Sequence, residues 1–185
     1  MNPPNTSREE IMRVSRKIVS EKGLPALNMR ALAKECGIAL GTLYNYYSDK
    51  DELVVAAIES VWQDILEKSA PDSGGRFSQY VTHIYARILS GLKDYPDFFA
   101  AHSISVAGSA KGKARGMMER CFGKIRAELH AALLADKNVD RGIFSETFRE
   151  EDLIEHILDT ITISIINGKP DCAVLTEILD RLLYR

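Results

Sequence analysis

The sequence predicts an all-α protein of about nine helices, and three observations support this prediction. Apolar residues recur at intervals of three and four through most of the chain, which is the period of one helix face. Glycine and proline divide these periodic stretches into separate segments. No segment combines apolar–polar alternation with a hairpin turn, so strands are not expected. At 185 residues the chain can bury a sizeable core.

The first helix is expected to begin after Ser7 and to stop at Gly23. Ser7 is followed three residues later by Glu10, which is the spacing of a capping box at a helix start. The apolar stripe of this helix would cover the two short helices that follow. It consists of Ile11, Val14 and Ile18.

The next two helices are short and are separated by a tight turn. Asn28 is expected to cap a helix over Met29 to Glu35 with its side-chain oxygen. Gly37 stands where a helix ends with a left-handed residue, which glycine adopts without strain. A helix from about Ala39 or Leu40 to Tyr47 follows. Two short helices joined in this way predict a helix-turn-helix motif.

Six longer helices are predicted after this motif. They cover residues 50–69, 77–92, 98–106, 111–134, 148–166 and 173–184. The last two are apolar on more than one side, so one side can meet the chain's own core and the other a second copy. A two-sided helix buried inside a monomer is the alternative. We therefore predict a head, residues 1–50, and a helical body, residues 51–185.

The charge of the chain is unevenly distributed. Its formal net charge is −2, but residues 1–50 hold eight basic and five acidic side chains. A basic head on an acidic body favours a small, localised contact with phosphates. No apolar run is long enough to cross a bilayer, and the start lacks a secretory pattern. The three scattered cysteines, Cys36, Cys121 and Cys172, fit a reduced cytoplasm.

The segment Gly37–Leu53, GIALGTLYNYYSDKDEL, resembles the signature of TetR/AcrR-type repressors. Leu32 and Ala33 stand at the matching distance upstream, and the likeness covers roughly the first third of the chain. Ala39 departs from the serine or threonine usual in the family. Leu40 stands where the family often has a polar residue.

The resemblance implies that the head binds duplex DNA. It assigns phosphate contacts to Tyr44, Tyr46, Lys50 and the start of the helix after Asn28, where free N–H groups suit an anion. Base contacts would come from Asn45, Leu40 and Arg30, although ordinary packing is the alternative for Leu40 and the tyrosines. The predicted DNA-binding residues are Asn28, Arg30, Leu40, Gly41, Thr42, Tyr44, Asn45, Tyr46 and Lys50.

The resemblance also implies pairing through the last two helices and a ligand pocket in the body. Pairing would place two reading helices about 34–36 Å apart, one per half of a palindrome. The predicted dimer interface is Ile154, Ile157, Leu158, Ile161, Ile165, Leu175, Ile178, Leu179 and Leu182. The predicted ligand residues are Trp62, Tyr80, Phe99, His102, Met117, Met118 and Phe122, for each of which core packing is the alternative.

The expected function is therefore a dimeric transcriptional repressor that a small apolar or aromatic effector releases from its operator. The alternative is a helix-turn-helix protein that acts as an activator, an architectural DNA binder or a protein-interaction module without a small ligand. The four histidines are too scattered for a helical metal pair, and no HExxH or GxSxG occurs. We expect no enzymatic activity, no metal and no cofactor.

Overall fold

The computed structural model describes residues 6–67, 75–96, 98 and 111–184, apart from the side chains of residues 67, 111–115, 117 and 118. The described residues form eight α-helices, and the all-α prediction is confirmed. The predicted helix over residues 98–106 lies outside the described residues except for Phe98. The eight helices are α1 (Arg8–Lys22), α2 (Met29–Glu35), α3 (Leu40–Tyr44), α4 (Lys50–Glu67), α5 (Phe77–Lys93), α6 (Lys111–Ala135), α7 (Glu150–Ile166) and α8 (Ala173–Leu183).

The chain divides into two compact units. The first comprises Met1–Ile65 and Gly91–Cys121, and the second comprises Leu66–Ser90 and Phe122–Arg185. The predicted functional division at residue 50 stays a prediction. None of the helices in the described ranges combines the length and apolar character that a membrane crossing requires.

Helix α1 begins and ends at the predicted residues. Ser7 Oγ accepts a hydrogen bond from the Glu10 N–H (3.1 Å), as an N-cap should. The Glu10 carboxylate does not complete the capping box, because it accepts two bonds from Arg13 (2.8 and 2.6 Å). Gly23 ends the helix at φ +78°. The stripe of Ile11, Val14 and Ile18 is buried.

Helix α2 has the predicted bounds, but α3 is shorter than expected. Asn28 Oδ1 caps α2 by accepting from the Ala31 N–H (3.0 Å), and Gly37 leaves the turn at φ +66°. Helix α3 ends at Tyr44 rather than Tyr47. The next turn tightens, because the Asn45 N–H bonds back only three residues, to Thr42 O (3.2 Å).

Gly91 in α5 lies against a β-branched side chain of α4. A Cβ added at this position would lie 2.6 Å from Ile65 Cγ2 and 3.0 Å from Ile65 Cβ. Ile65 is fully buried, and a β-branched side chain is stiff, so it has little room to move away. The close approach of the two helices at this point therefore requires glycine.

We expect Gly91→Ala to lower the free energy of unfolding by about 1–2 kcal/mol. Overpacking costs about 1–3 kcal/mol, which outweighs the gain of up to about 1 kcal/mol in helix propensity. Gly123→Ala in α6 is the matched control, because nothing lies within 4 Å of its added Cβ. That variant should gain about 1 kcal/mol. Urea unfolding followed by circular dichroism measures both, and a stabilised Gly91→Ala would contradict the argument.

A buried carboxylate joins three segments of the second unit. Asp136, just after α6, accepts hydrogen bonds from the Tyr184 hydroxyl (2.6 Å) and from the Phe77 N–H at the start of α5 (2.8 Å). Burial alone raises the pKa of Asp136, but these bonds and those from Asn138 outweigh it and lower the pKa. Burial and the bond to Asp136 raise the pKa of Tyr184 to about 12.

The raised pKa of Tyr184 predicts a loss of stability in alkali. The contribution of this hydroxyl is complete below its ordinary pKa of 10 and is lost as the pH rises towards 12. Tyr184→Phe should lower the free energy of unfolding at pH 7 by about 1.5 kcal/mol, since it removes a hydrogen bond to a charged group. Between pH 10 and 12 the difference from wild type should shrink. Unfolding titrations at several pH values test this, and a constant difference would contradict it.

The predicted dimer interface contains both buried and exposed residues. Six of its residues are buried within their own chain and belong to its core: they are Ile154, Ile157, Leu158, Ile161, Leu175 and Leu179. The pairing of two copies through these helices stays a prediction. Ile165 is half-buried, while Ile178 and Leu182 are exposed.

Candidate nucleic-acid interface

Helix α3 and the turn after it present one buried side and one exposed side. Leu43 and Tyr47 point inwards and are almost completely buried. Tyr44 is 49% exposed, and Gly41, Thr42 and Asn45 are exposed with it. Leu40 and Tyr46 are half-buried. The exposed side consists of residues predicted to bind DNA, whose contacts stay a prediction.

The start of α2 is a second part of the predicted interface. The side chain of Asn28 is fully used inside the protein, because its amide also donates to Ala26 O (3.2 Å). Any contact of Asn28 with DNA would therefore come from backbone N–H groups of the first turn. Arg30 in that turn is exposed.

Tyr46, in the turn that follows α3, is hydrogen-bonded to residues at the start of α1. Its hydroxyl donates to Thr6 O, and its own carbonyl accepts a hydrogen bond from Arg8 (2.9 Å). The Arg8 guanidinium also lies over the Tyr47 ring, 5.2 Å from its centroid. To donate to a phosphate, the Tyr46 hydroxyl would thus have to break its hydrogen bond to Thr6 O. Sequence reasoning missed Arg8, because its partners lie 38 or more residues away and leave no local signal.

The segment that connects the turn after α3 to α4 is held by two reciprocal hydrogen bonds. Asp49 Oδ1 caps α4 by accepting from the Glu52 N–H (2.7 Å). Glu52 Oε2 accepts in return from the Ser48 N–H (2.8 Å). This joint fixes Lys50 in the first turn of α4, with its side chain exposed.

The exposed cations of the head differ in their pairing. Lys22 pairs with Glu35 (3.3 Å), and Arg13 pairs with Glu10 (2.6 Å). Within the described ranges, Arg30 and Lys50 form no ion pair. Unpaired exposed cations can neutralise phosphates without first breaking an internal bond.

The predicted ligand residues are not brought into one described site. Phe99 and His102 lie outside the described residues, and Met117 and Met118 belong to α6 with undescribed side chains. Trp62 is buried and packs edge-on against Phe98, with ring centroids 6.1 Å apart. Tyr80 and Phe122 are half-buried and belong to the second unit.

A family model described as bacterial regulatory proteins of the tetR family matches residues 11–57. Residues 11–57 therefore carry the amino-terminal domain of the TetR family. The match runs from the buried stripe of α1 through α2 and α3 into α4, so it includes all nine residues predicted to bind DNA.

Two curated transcriptional regulators are similar to part of this chain. An HTH-type transcriptional regulator of Haemophilus influenzae is 35% identical over 99 residues, which are 47% of this chain and 53% of the relative. One from Staphylococcus aureus USA300 is 36% identical over 53 residues, 29% of each protein. The chain thus spans about half the length of the first relative and under a third of the second.

Three solved structures share the fold. The multidrug binding protein EbrR, complexed with ethidium, superposes with a TM-score of 0.67 at 18% identity, over 96% of this chain and 99% of EbrR. BioQ with its double-stranded DNA operator gives 0.62 at 18% identity, over 95% and 96%. A Rhodococcus transcriptional regulator gives 0.63 at 22% identity, over 89% and 86%. At these identities the likeness establishes the fold alone.

Proposed function

We propose that this chain is a DNA-binding transcriptional repressor that reads a palindromic operator as a homodimer. The observation that carries the proposal is the exposed side of α3 and its following turn, held in place by buried Leu43 and Tyr47. Thr42, Tyr44 and Asn45 stand on that side with donors and acceptors suited to base edges and phosphates. BioQ, which shares the fold, was crystallised with its DNA operator.

Electrostatics supports a phosphate-binding role for the head. Arg30 lies in the first turn of α2 and Lys50 in the first turn of α4, so the two flank the reading helix in sequence. Both are exposed, and neither is ion-paired within the described residues. Each would release a counterion on meeting a phosphate, so binding weakens as salt rises.

A homodimer is supported by an apolar stripe on α8. Val174, Ile178 and Leu182 recur every four residues and are 76%, 55% and 38% exposed in the single chain. Ile163 and Ile166 at the end of α7 are also exposed. A contiguous apolar surface of this kind marks a binding site, and a second copy of the chain is the partner that a palindromic operator needs.

Release by a small apolar or aromatic effector is the finer part of the proposal. EbrR, which shares the fold, was crystallised with ethidium and with proflavin. Hydrogen bonds connect α4 to its neighbours in the first unit. The Arg16 guanidinium of α1 donates to Ser60 Oγ of α4 (2.5 Å). Tyr95, just after α5, donates to Asp64 of α4 (2.7 Å). A shift of α4 would therefore move α1.

A gel-shift assay with DNA from upstream of the protein's own gene tests the proposal. We expect sequence-selective binding that weakens steeply with salt, because phosphate contacts release counterions. Lys50→Ala should weaken binding to all sequences alike and lower the salt slope by about one. Asn45→Ala should relax the preference at one base pair, at a cost of about 1–3 kcal/mol.

The control for the lysine is Lys124→Ala, an exposed lysine of α6 outside the head. It should leave both the affinity and the salt slope unchanged. Binding without sequence preference would favour an architectural DNA binder. The absence of any DNA binding would overturn the proposal.

A further inference from the structure

Helices α5 and α6 border a cavity of about 850 Å³ within the second unit. The two helices run antiparallel there, because Asp136 after the end of α6 bonds the Phe77 N–H at the start of α5. Further along, Arg87 of α5 bonds Glu128 of α6 (2.6 Å). The cavity lies between these two cross-links.

Small side chains on α6 account for this space. Ala131, Ala132 and Ala135 line the cavity from α6, and Tyr80 and His83 line it from α5. A methyl group fills little of the gap between two helices, so an open apolar floor remains. The volume falls within the range of roughly 300–1,000 Å³ that small-molecule sites occupy.

Both carboxylates that line the cavity already have partners within the protein. Glu128 pairs through Oε2 with the buried guanidinium of Arg87, which balances its charge. Asp136 accepts at both oxygens, from the Tyr184 hydroxyl (2.6 Å) and from two backbone N–H groups, so neither of its oxygens lacks a donor.

Four other polar side chains that line the cavity are uncommitted. Within the part of the chain that the structure describes, the side chains of Gln79, Tyr80, His83 and Lys137 form no hydrogen bond and no ion pair. Burial raises the pKa of Tyr80, so its hydroxyl keeps its proton at neutral pH and can donate. Lys137 is exposed and supplies an unpaired positive charge. The free groups are therefore mainly donors, with one full cation.

We propose that this cavity binds a small planar aromatic anion, with its ring on the alanine floor beside Tyr80 and its acidic group held by Lys137 and His83. An apolar floor with a few polar groups at its edge is the usual composition of such a site. Of the ligand residues predicted from sequence, Tyr80 lines this cavity. The inference concerns binding alone, so it holds whether or not the chain regulates transcription.

The test uses the full chain and two dyes that differ by one charged group. 1-Anilinonaphthalene-8-sulfonate carries a sulfonate, and N-phenyl-1-naphthylamine has the same rings without it. Fluorescence titration should show the sulfonate dye bound with a Kd about tenfold below that of the neutral dye, since the charge-assisted contact is made only by the anion.

Two variants locate the site. Lys137→Gln should weaken the sulfonate dye about tenfold and leave the neutral dye unchanged. Ala131→Phe should fill the floor and weaken both dyes; Ala131 is exposed, so the fold should tolerate the larger ring. Lys124→Gln, on the same helix but outside the cavity lining, is the charge-matched control and should change neither.

Three outcomes would overturn the inference. If neither Lys137→Gln nor Ala131→Phe changes binding, the dyes bind elsewhere, for example on the apolar stripe of α8. If Ala131→Phe acts but the two dyes bind equally, the cavity takes a neutral aromatic compound. Tighter binding of cationic proflavin at this site would reverse the proposed charge.

Discussion

Leu43→Ala is expected to abolish operator binding and to lower the free energy of unfolding by about 2–5 kcal/mol, the usual cost of truncating a buried leucine. Leu43 is the one buried residue of the five-residue helix α3, and it is completely inaccessible to solvent. A helix this short has no stability of its own and depends on packing. Without Leu43 the exposed reading residues would lose the support that orients them.

Two comparison variants separate packing from contact. Leu43→Met keeps the volume of the side chain, should cost under about 1.5 kcal/mol and should retain binding. Thr42→Ala removes an exposed neighbour, so it should leave stability nearly unchanged whatever it does to DNA affinity. Thermal unfolding and gel-shift titration measure the two quantities. Full operator binding by Leu43→Ala would show that α3 is not the supported reading element.

Ile178→Glu is expected to convert the proposed dimer into monomers. Ile178 is the central residue of the α8 stripe and is 55% exposed, so a glutamate is harmless in the single chain but would be buried unpaired between two copies. A monomer reaches only one half-site. Losing even two bidentate base contacts, at about 1–3 kcal/mol each, lowers affinity by on the order of 100-fold.

Ala173→Glu is the matched control for this prediction. It adds the same charge to the same helix at an exposed position outside the stripe. Light scattering after size exclusion should give the mass of a dimer for wild type and Ala173→Glu, and that of a monomer for Ile178→Glu. A monomeric wild-type protein would contradict the proposal that a homodimer binds a palindromic operator.

Local patterns were sufficient for the ends of most helices in the head. Ser7 and Asn28 each cap the helix predicted for them, because capping is decided by a side chain and a backbone group three residues apart. Gly37 takes the predicted left-handed conformation, because its position directly after α2 is a local feature of the sequence. The inward pair Leu43 and Tyr47 follows from the helical period.

The helical period of apolar residues does not show which apolar side of a helix is buried within its own chain. Ile157 and Leu179 are buried in the core of their own chain, whereas Val174, on the same helix as Leu179, is exposed. Two apolar sides on one helix give the same sequence pattern whether the second cover is another copy or another part of the same chain. The interface between two copies therefore stays a prediction.

The sequence by itself determined the helical class, the TetR-type head and the caps of its helices, since these depend on neighbours within one or two helical turns. Only the tertiary structure decided that Arg8 holds the reading turn, that Asp136 joins α5 to Tyr184, and that a cavity opens over the alanines of α6. Those contacts join residues 38 to 59 positions apart. Only packing brings such residues together, and no local period encodes it.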